Sequence, residues 1–69
     1  MAEKTLGQVI KEFRAELNLP VEVVAEKAKL SVPFWYKLEA GTKNPSLKTL
    51  TDKIAPALNK KPTDFFIAI

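Results

Sequence analysis

The chain has 69 residues, of which 46% are hydrophobic and 28% charged, with a net charge of +3 and neither cysteine nor histidine. This length holds one small domain, and a chain this short needs nearly every large apolar residue for its core. The missing side chains exclude disulfides, thiolate zinc sites and catalysis by a histidine base.

The first periodic segment predicts a helix from about Leu6 to Leu17. Its apolar residues recur at helical intervals on one face. Thr5 and Gln8 have the spacing of a capping box at the start of this helix. Asn18 can take the left-handed conformation that ends a helix. Both ends of the first helix are therefore predicted from local sequence signals.

Two shorter helices are predicted next, over about 21–28 and 32–40. Pro20 opens the first of them, because its fixed φ suits a first helical turn. The Ser31 hydroxyl can cap the second, and Gly41 ends it. The residues expected to face the core are Val24, Ala25, Ala28, Trp35 and Leu38.

A fourth helix is predicted after a loop over 42–45, with Ser46 as its cap. Pro56 interrupts this helix, because proline removes one backbone hydrogen bond and its ring crowds the preceding turn. We therefore expect a kink near Asp52. The apolar residues at helical spacing in this segment are Leu47, Leu50, Ile54 and Leu58.

The carboxy-terminal segment carries more apolar residues than one short helix can bury. Pro62 opens a last turn, and we expect Phe65 or Phe66 to pack on the core. The apolar residues through Ile69 indicate a homodimer contact, which we prefer, or the stub of a longer chain. The fold predicted from these elements is all-α, a compact bundle of four to five short helices without a strand, as one domain over residues 1–69.

Charge is distributed unevenly along the chain. Through Glu26 there are three cations and five acids, whereas from Lys27 to Lys61 there are eight lysines and two acids. Such asymmetry indicates a polyanionic partner, although lysines on exposed helix faces are also ordinary solvation. Charge alone leaves both interpretations open.

The two short helices over about 21–40 have the layout of a DNA-binding helix-turn-helix. Further similarity lies in Ile10-x-x-Phe13-Arg14, Val24-Ala25-Glu26-Lys27-Ala28, Ser31 with Leu38-Glu39-Ala40-Gly41, Asn44-Pro45-Ser46-Leu47-x-x-Leu50, and Ile54-Ala55-x-Ala57-Leu58. In this order and spacing, the chain resembles the XRE-type family of phage repressors and Cro proteins from about Leu6 to Phe66. The resemblance implies a lambda-repressor-like domain of a phage or a bacterium that binds double-stranded DNA, usually as a dimer, and regulates transcription.

The resemblance also implies roles for individual residues. The helix over 32–40 would enter the major groove, where each base pair shows its own pattern of donors, acceptors and methyl groups. The side chains expected to face the bases are Val32, Phe34, Tyr36 and Lys37. Those expected at phosphates are Ser31, Lys43, Asn44 and Ser46, with Lys29 and Lys48 as further candidates. Arg14 and Glu39 match a pair that forms a partly buried structural salt bridge in relatives of this fold.

The recognition helix departs from the family pattern, because its start is apolar where relatives expose polar side chains. Pro20 and Val21 likewise replace a polar cap and a glutamine, and Lys29 replaces the usual glycine of the turn. Three explanations remain open: the helix still reads DNA with modest specificity; it binds a protein, as an interaction module that has lost DNA binding; or one or two of these side chains fold back onto the core.

An enzyme is not expected. The acidic residues are scattered at intervals that suit solvated helix faces, and the sequence has no paired carboxylates, glycine-rich phosphate loop or metal-ligand cluster. We therefore expect no cofactor and no small-molecule substrate. The longest apolar run, Phe65 to Ile69, is far below the ~20 residues that span a bilayer. The amino terminus lacks the order of a secretory signal, which leads us to expect a cytoplasmic protein.

Overall fold

Helices account for most of residues 4–68, which are the part of the chain that this computed structural model describes. Their bounds are α1 (Leu6–Glu16), α2 (Val21–Ala28), α3 (Val32–Ala40), α4 (Leu47–Thr49), a π-helical segment (Leu50–Ile54), α5 (Ala55–Ala57) and α6 (Pro62–Ala68). No strand occurs within residues 4–68. The predicted all-α class is therefore confirmed, with helix bounds that differ from the predicted ones by a residue or less in the first three helices.

Side-chain oxygens satisfy the free backbone donors at several helix starts. Thr5 and Gln8 form the predicted capping box, with the Thr5 hydroxyl accepting from the Gln8 backbone N–H at 3.2 Å and the Gln8 side-chain Oε1 accepting from the Thr5 backbone N–H at 2.9 Å. Ser31 and Ser46 cap α3 and α4 in the same way. Pro20 gives α2 no side-chain cap. Three of these four helix starts are thus set by the residue just before the helix.

Left-handed residues end four of the helical segments where the chain turns. Asn18 and Asn59 have φ values of 55° and 57°, and asparagine tolerates this conformation better than most residues. Gly41 has a φ of 83°, which glycine adopts at no steric cost. Lys29 ends α2 with φ 58° and ψ 39° and has no such tolerance. At the position where the family pattern has glycine, Lys29 therefore adopts the left-handed conformation that a glycine would favour.

The disturbance expected near Asp52 takes the form of a change in helix type. From Leu50 to Ile54 the backbone is π-helical, and the N–H of Ala55 bonds to the Leu50 carbonyl five residues back. Pro56 has no N–H for the Asp52 carbonyl, and its ring would crowd a regular α-turn. The wider π-turn accommodates the proline while the chain continues as a helix into α5.

One hydrophobic core contains buried side chains from every helical segment except α4. Trp35 and Phe65 are its largest fully buried members. The Phe65 ring meets Phe13 edge to face at a centroid distance of 5.1 Å. Phe66 is 58% exposed, so the structure decides that Phe65 anchors α6. The other core residues are Val9, Ile10, Val21, Val24, Ala25, Ala28, Leu38, Leu50, Ile54, Ala55, Ala57 and Leu58.

Leu47 differs from the other apolar residues at helical spacing in the fourth predicted helix. It is 66% exposed, whereas Leu50, Ile54 and Leu58 are buried.

The expected dimer contact of the tail falls partly on Ile69, which lies outside the described residues. None of the helices in residues 4–68 has the length and apolar character of a membrane-spanning segment.

Candidate nucleic-acid interface

A three-residue turn joins α2 to α3. Within it, the N–H of Lys29 bonds to the Glu26 carbonyl at 3.0 Å and the N–H of Leu30 to the Ala25 carbonyl at 2.9 Å. Leu30 packs against the core, and Ser31 then caps α3. The turn is therefore anchored at each residue, so the two helices meet at a defined angle.

The outer face of α3 is divided between exposed and half-buried side chains. Tyr36 is 53% exposed, and Lys37 and Pro33 are exposed beside it. Val32 and Phe34 are half-buried and pack against the core cluster. Of the four side chains that we expected to face bases, two are thus open to a partner. The other two turn partly inward, as the third explanation for the apolar helix describes.

The side chains expected at phosphates lie on the two segments that flank α3, with Lys48 in α4 and the others in loops. Their members are all exposed: Lys29 and Ser31 before the helix, and Lys43, Asn44, Ser46 and Lys48 after it. Ser31 and Ser46 already use a hydroxyl oxygen as a helix cap. The Ser46 hydroxyl also donates to Thr49 Oγ1 at 2.9 Å. The lysines and Asn44 are therefore the freer candidates for contact with a partner.

The loop after α3 is tied to the helix at one carbonyl. The Lys37 carbonyl accepts from the N–H groups of Thr42 and Lys43, at 3.0 and 3.3 Å. The Thr42 hydroxyl donates to the same oxygen at 3.3 Å. These bonds hold Lys43 at the end of α3, the helix that carries Lys37.

Arg14 and Glu39, the pair singled out by the resemblance, form an ion pair between α1 and α3. Arg14 Nε donates to Glu39 Oε2 at 2.6 Å, and Arg14 Nη2 donates to Oε1 at 3.1 Å. Arg14 Nη1 donates to the Leu19 carbonyl at 2.9 Å. The hydrogen bond to Glu39 raises the pKa of Arg14 above its ordinary value, and the charge of Glu39 adds to this effect, while burial opposes it. One guanidinium therefore joins α1, the following turn and α3.

Sequence reasoning missed the second partner of Glu39. The indole N–H of Trp35 donates to Glu39 Oε2 at 2.6 Å. The two residues are four apart on one helix, a spacing at which side chains meet, and this signal was available in the sequence. A buried indole needs an acceptor, and Glu39 supplies it.

Gly7 is a second residue that sequence reasoning missed. A Cβ atom at this position would overlap the Leu38 carbonyl oxygen and lie 2.8 Å from that of Glu39. The backbone of α1 therefore passes directly over the end of α3. A glycine inside a helical pattern was the available signal, because such a residue often has a packing reason.

The geometry of α2, its turn and α3 defines a helix-turn-helix domain. The chain is 45% identical over 58 residues to an uncharacterized HTH-type transcriptional regulator of Archaeoglobus fulgidus, a match that covers 84% of this chain and 80% of that protein. The chain belongs to the helix-turn-helix family of transcriptional regulators. No protein-family profile matches it.

Solved structures agree with this assignment. Two crystal structures of the clp gene regulator ClgR from Corynebacterium glutamicum resemble this one with TM-scores of 0.85 and 0.84, at 28% identity over 91% of this chain. The chain spans 66% of the length of one ClgR chain and 80% of the other. These similar proteins are regulators by name, which agrees with the interpretation of this chain as a non-enzymatic regulator.

Proposed function

We propose that the protein is a sequence-specific DNA-binding regulator of the XRE type, which acts as a repressor with α3 in the major groove of double-stranded DNA. The observation that carries the proposal is the exposed face of α3, with Tyr36 and Lys37 open to a partner, between two loops that carry exposed lysines. An α-helix fits the major groove, and lysines beside it neutralise phosphates.

Base contacts come chiefly from Lys37, whose ammonium group donates hydrogen bonds to guanine acceptors. Val32 and Phe34 keep part of their surface outside the core and contact thymine methyl groups at most. Specificity is therefore modest, because few polar side chains reach base edges.

Phosphate contacts come from the loops on both sides of α3. Lys43 and Asn44 contact the backbone directly, together with the chain near Ser46. Lys29, Ser31 and Lys48 supply further contacts. Because lysine contacts release counterions from DNA, we expect most of the affinity to depend on salt.

A homodimer binding two related half-sites is part of this proposal. Phe66 is exposed on α6 and offers an apolar contact for a second copy. A regulator of transcription works beside the chromosome, which places the protein in the cytoplasm. No cofactor is needed for this mode of action.

The proposal is tested by salt-titrated binding to duplexes selected from a random pool. We expect the wild type to lose affinity steeply between low and physiological salt. Lys43→Ala should weaken binding to every duplex and reduce the slope of log K against log salt by about 0.9, as one lost phosphate contact does. Lys37→Ala should instead reduce the difference in binding affinity between the selected duplexes and random duplexes.

Lys53→Ala is the matched control, because Lys53 is an exposed lysine outside the helix-turn-helix and its loops. It removes the same charge and should leave the slope and the sequence preference close to those of the wild type. Absence of duplex binding even at low salt would contradict the proposal and favour the interaction-module alternative, in which the exposed Pro33 and Tyr36 contact a protein.

A further inference from the structure

A groove of about 290 Å³ opens between α1 and α3, beside the face of α3 that carries the proposed base contacts. Its lining residues are Lys11, Arg14, Tyr36, Glu39 and Ala40. Lys11 and Arg14 follow one another by one turn of α1, and Tyr36 and Ala40 by one turn of α3. None of the roles assigned above uses Lys11.

The charge of the groove is positive, because one of its two cations is not compensated. The Glu39 carboxylate is neutralised by Arg14 and also accepts from the Trp35 indole. Within residues 4–68 the ion pairs are Lys4–Glu12, Arg14–Glu39 and Lys60–Glu16, so none of these carboxylates pairs with Lys11. The lining residues together therefore carry one net positive charge.

Hydrogen-bond donors also remain for a ligand in the groove. A guanidinium has five N–H groups. Arg14 gives three of them to Glu39 and Leu19, which leaves two. The Tyr36 hydroxyl and the Lys11 ammonium add donors on opposite walls. Donors on two helices that line a positively charged groove fit an oxyanion.

We propose that this groove binds a backbone phosphate of the DNA duplex, so that the interface extends from α3 onto α1. The inference rests on the DNA-binding function proposed above. A phosphodiester carries one negative charge and matches the single uncompensated charge of the groove, whereas free phosphate carries more charge at neutral pH. Tyr36 then donates to the phosphate and does not read a base.

The contact has a consequence for recognition. Phosphate contacts fix the register and orientation of a protein on the duplex, while base contacts supply specificity. A phosphate bound between α1 and α3 would add a contact on α1 to those of the Lys43 loop. The position of Lys37 in the major groove is then fixed by contacts on two elements.

The test compares Lys11→Ala and Tyr36→Phe with the wild type in salt-titrated binding to the duplex that the wild type binds most tightly. Lys11→Ala should reduce the salt slope by about 0.9 and the affinity at 0.1 M salt about eightfold. Tyr36→Phe should weaken binding about three- to tenfold through the loss of one hydrogen bond, with the slope unchanged because no charge is lost. Both side chains are exposed, and circular dichroism checks that the fold is kept.

Lys4→Ala is the matched control, because Lys4 lies just before the same helix and is already paired with Glu12 at 2.7 Å. It should change the affinity by less than about twofold, since a screened charge away from the phosphate contributes little. This inference would be overturned if Lys11→Ala and Lys4→Ala had equal effects while the wild type still bound DNA with a steep salt dependence. That result would leave the proposed function standing. A wild type that binds no duplex would contradict the proposed function itself.

A titration with inorganic phosphate distinguishes the source of the oxyanion. We expect the amide NMR signals of Lys11 and Tyr36 to shift when duplex is added. With inorganic phosphate, we expect the titration of these signals not to reach saturation. Saturation by inorganic phosphate, with duplex affinity unchanged in Lys11→Ala, would assign the groove to a free anion and overturn the proposal.

Discussion

The side chain of Glu39 is 8% exposed and accepts hydrogen bonds from two residues on different helices. Arg14 reaches it from α1, and Trp35 from one turn earlier in α3. A buried carboxylate is costly to desolvate, and its partners must offset that cost. The three side chains therefore act as a unit that holds α3 against α1, and each depends on the other two.

Glu39→Gln should lower the free energy of unfolding by about 3 kcal/mol, because it leaves the Arg14 charge without its partner. The glutamine amide also turns a donor toward Arg14 or Trp35, both of which are donors. Urea denaturation measures the loss.

Glu12→Gln is the control, since it breaks the exposed Lys4–Glu12 pair by the same substitution. We expect a loss below about 1 kcal/mol there, because exposed ion pairs contribute little. Similar losses in the two variants would show that the Glu39 network adds nothing beyond an exposed pair.

The crossing of α1 and α3 depends on the absence of a side chain at Gly7. The carbonyl oxygens of Leu38 and Glu39 occupy the space that a Cβ atom would take. They belong to backbone in the last turn of α3, so they cannot move without the helix. The separation of the two helices is therefore limited by backbone contact, and α3 lies at the distance from α1 that Gly7 allows.

Gly7→Ala should lower the free energy of unfolding by about 1–3 kcal/mol, as overpacking does in a closely packed interior. The sign of the change in the free energy of unfolding is what tests this prediction. At an ordinary helix position the same substitution is stabilising by about 1 kcal/mol, because alanine is the better helix former. We also expect weaker duplex binding, since α3 must shift relative to α1. Thermal unfolding and the duplex titration measure the two effects, and a stabilised variant would show that the crossing tolerates a methyl group.

A single hydrophobic core connects α1, α2, α3 and α6. Trp35 is fully buried in this core, and Phe65 joins α6 to α1 through the Phe13 ring. The Lys60 ammonium lies 4.6 Å above the same ring and also pairs with Glu16. No helix in the described residues has a core of its own. The elements should therefore lose their structure together.

We expect unfolding to be a single cooperative transition. Trp35 fluorescence reports the core, and far-ultraviolet circular dichroism reports all helices, so the two urea transitions should coincide. Fluorescence that changes at a lower urea concentration than circular dichroism would show that helices persist after the core opens. That result would contradict a shared core.

Features that depend on neighbours along the chain were predictable from the sequence. The capping box of Thr5 and Gln8, the Ser31 and Ser46 caps and the left-handed Asn18 rest on contacts within one turn of backbone. The disturbance before Pro56 has the same local origin. The order and spacing of these elements also indicated the helix-turn-helix, because the motif is a sequence-local unit.

The tertiary structure alone decided which atoms meet between elements. It buried Phe65 and exposed Phe66, turned Val32 and Phe34 partly inward, and opened a groove between α1 and α3 beside Tyr36. Helical periodicity predicts the face of the helix on which a side chain lies. The burial and contacts of that side chain depend on how closely two helices approach. That distance is set by Gly7 and the Glu39 network, whose partners are far apart in sequence and come together only in the folded chain.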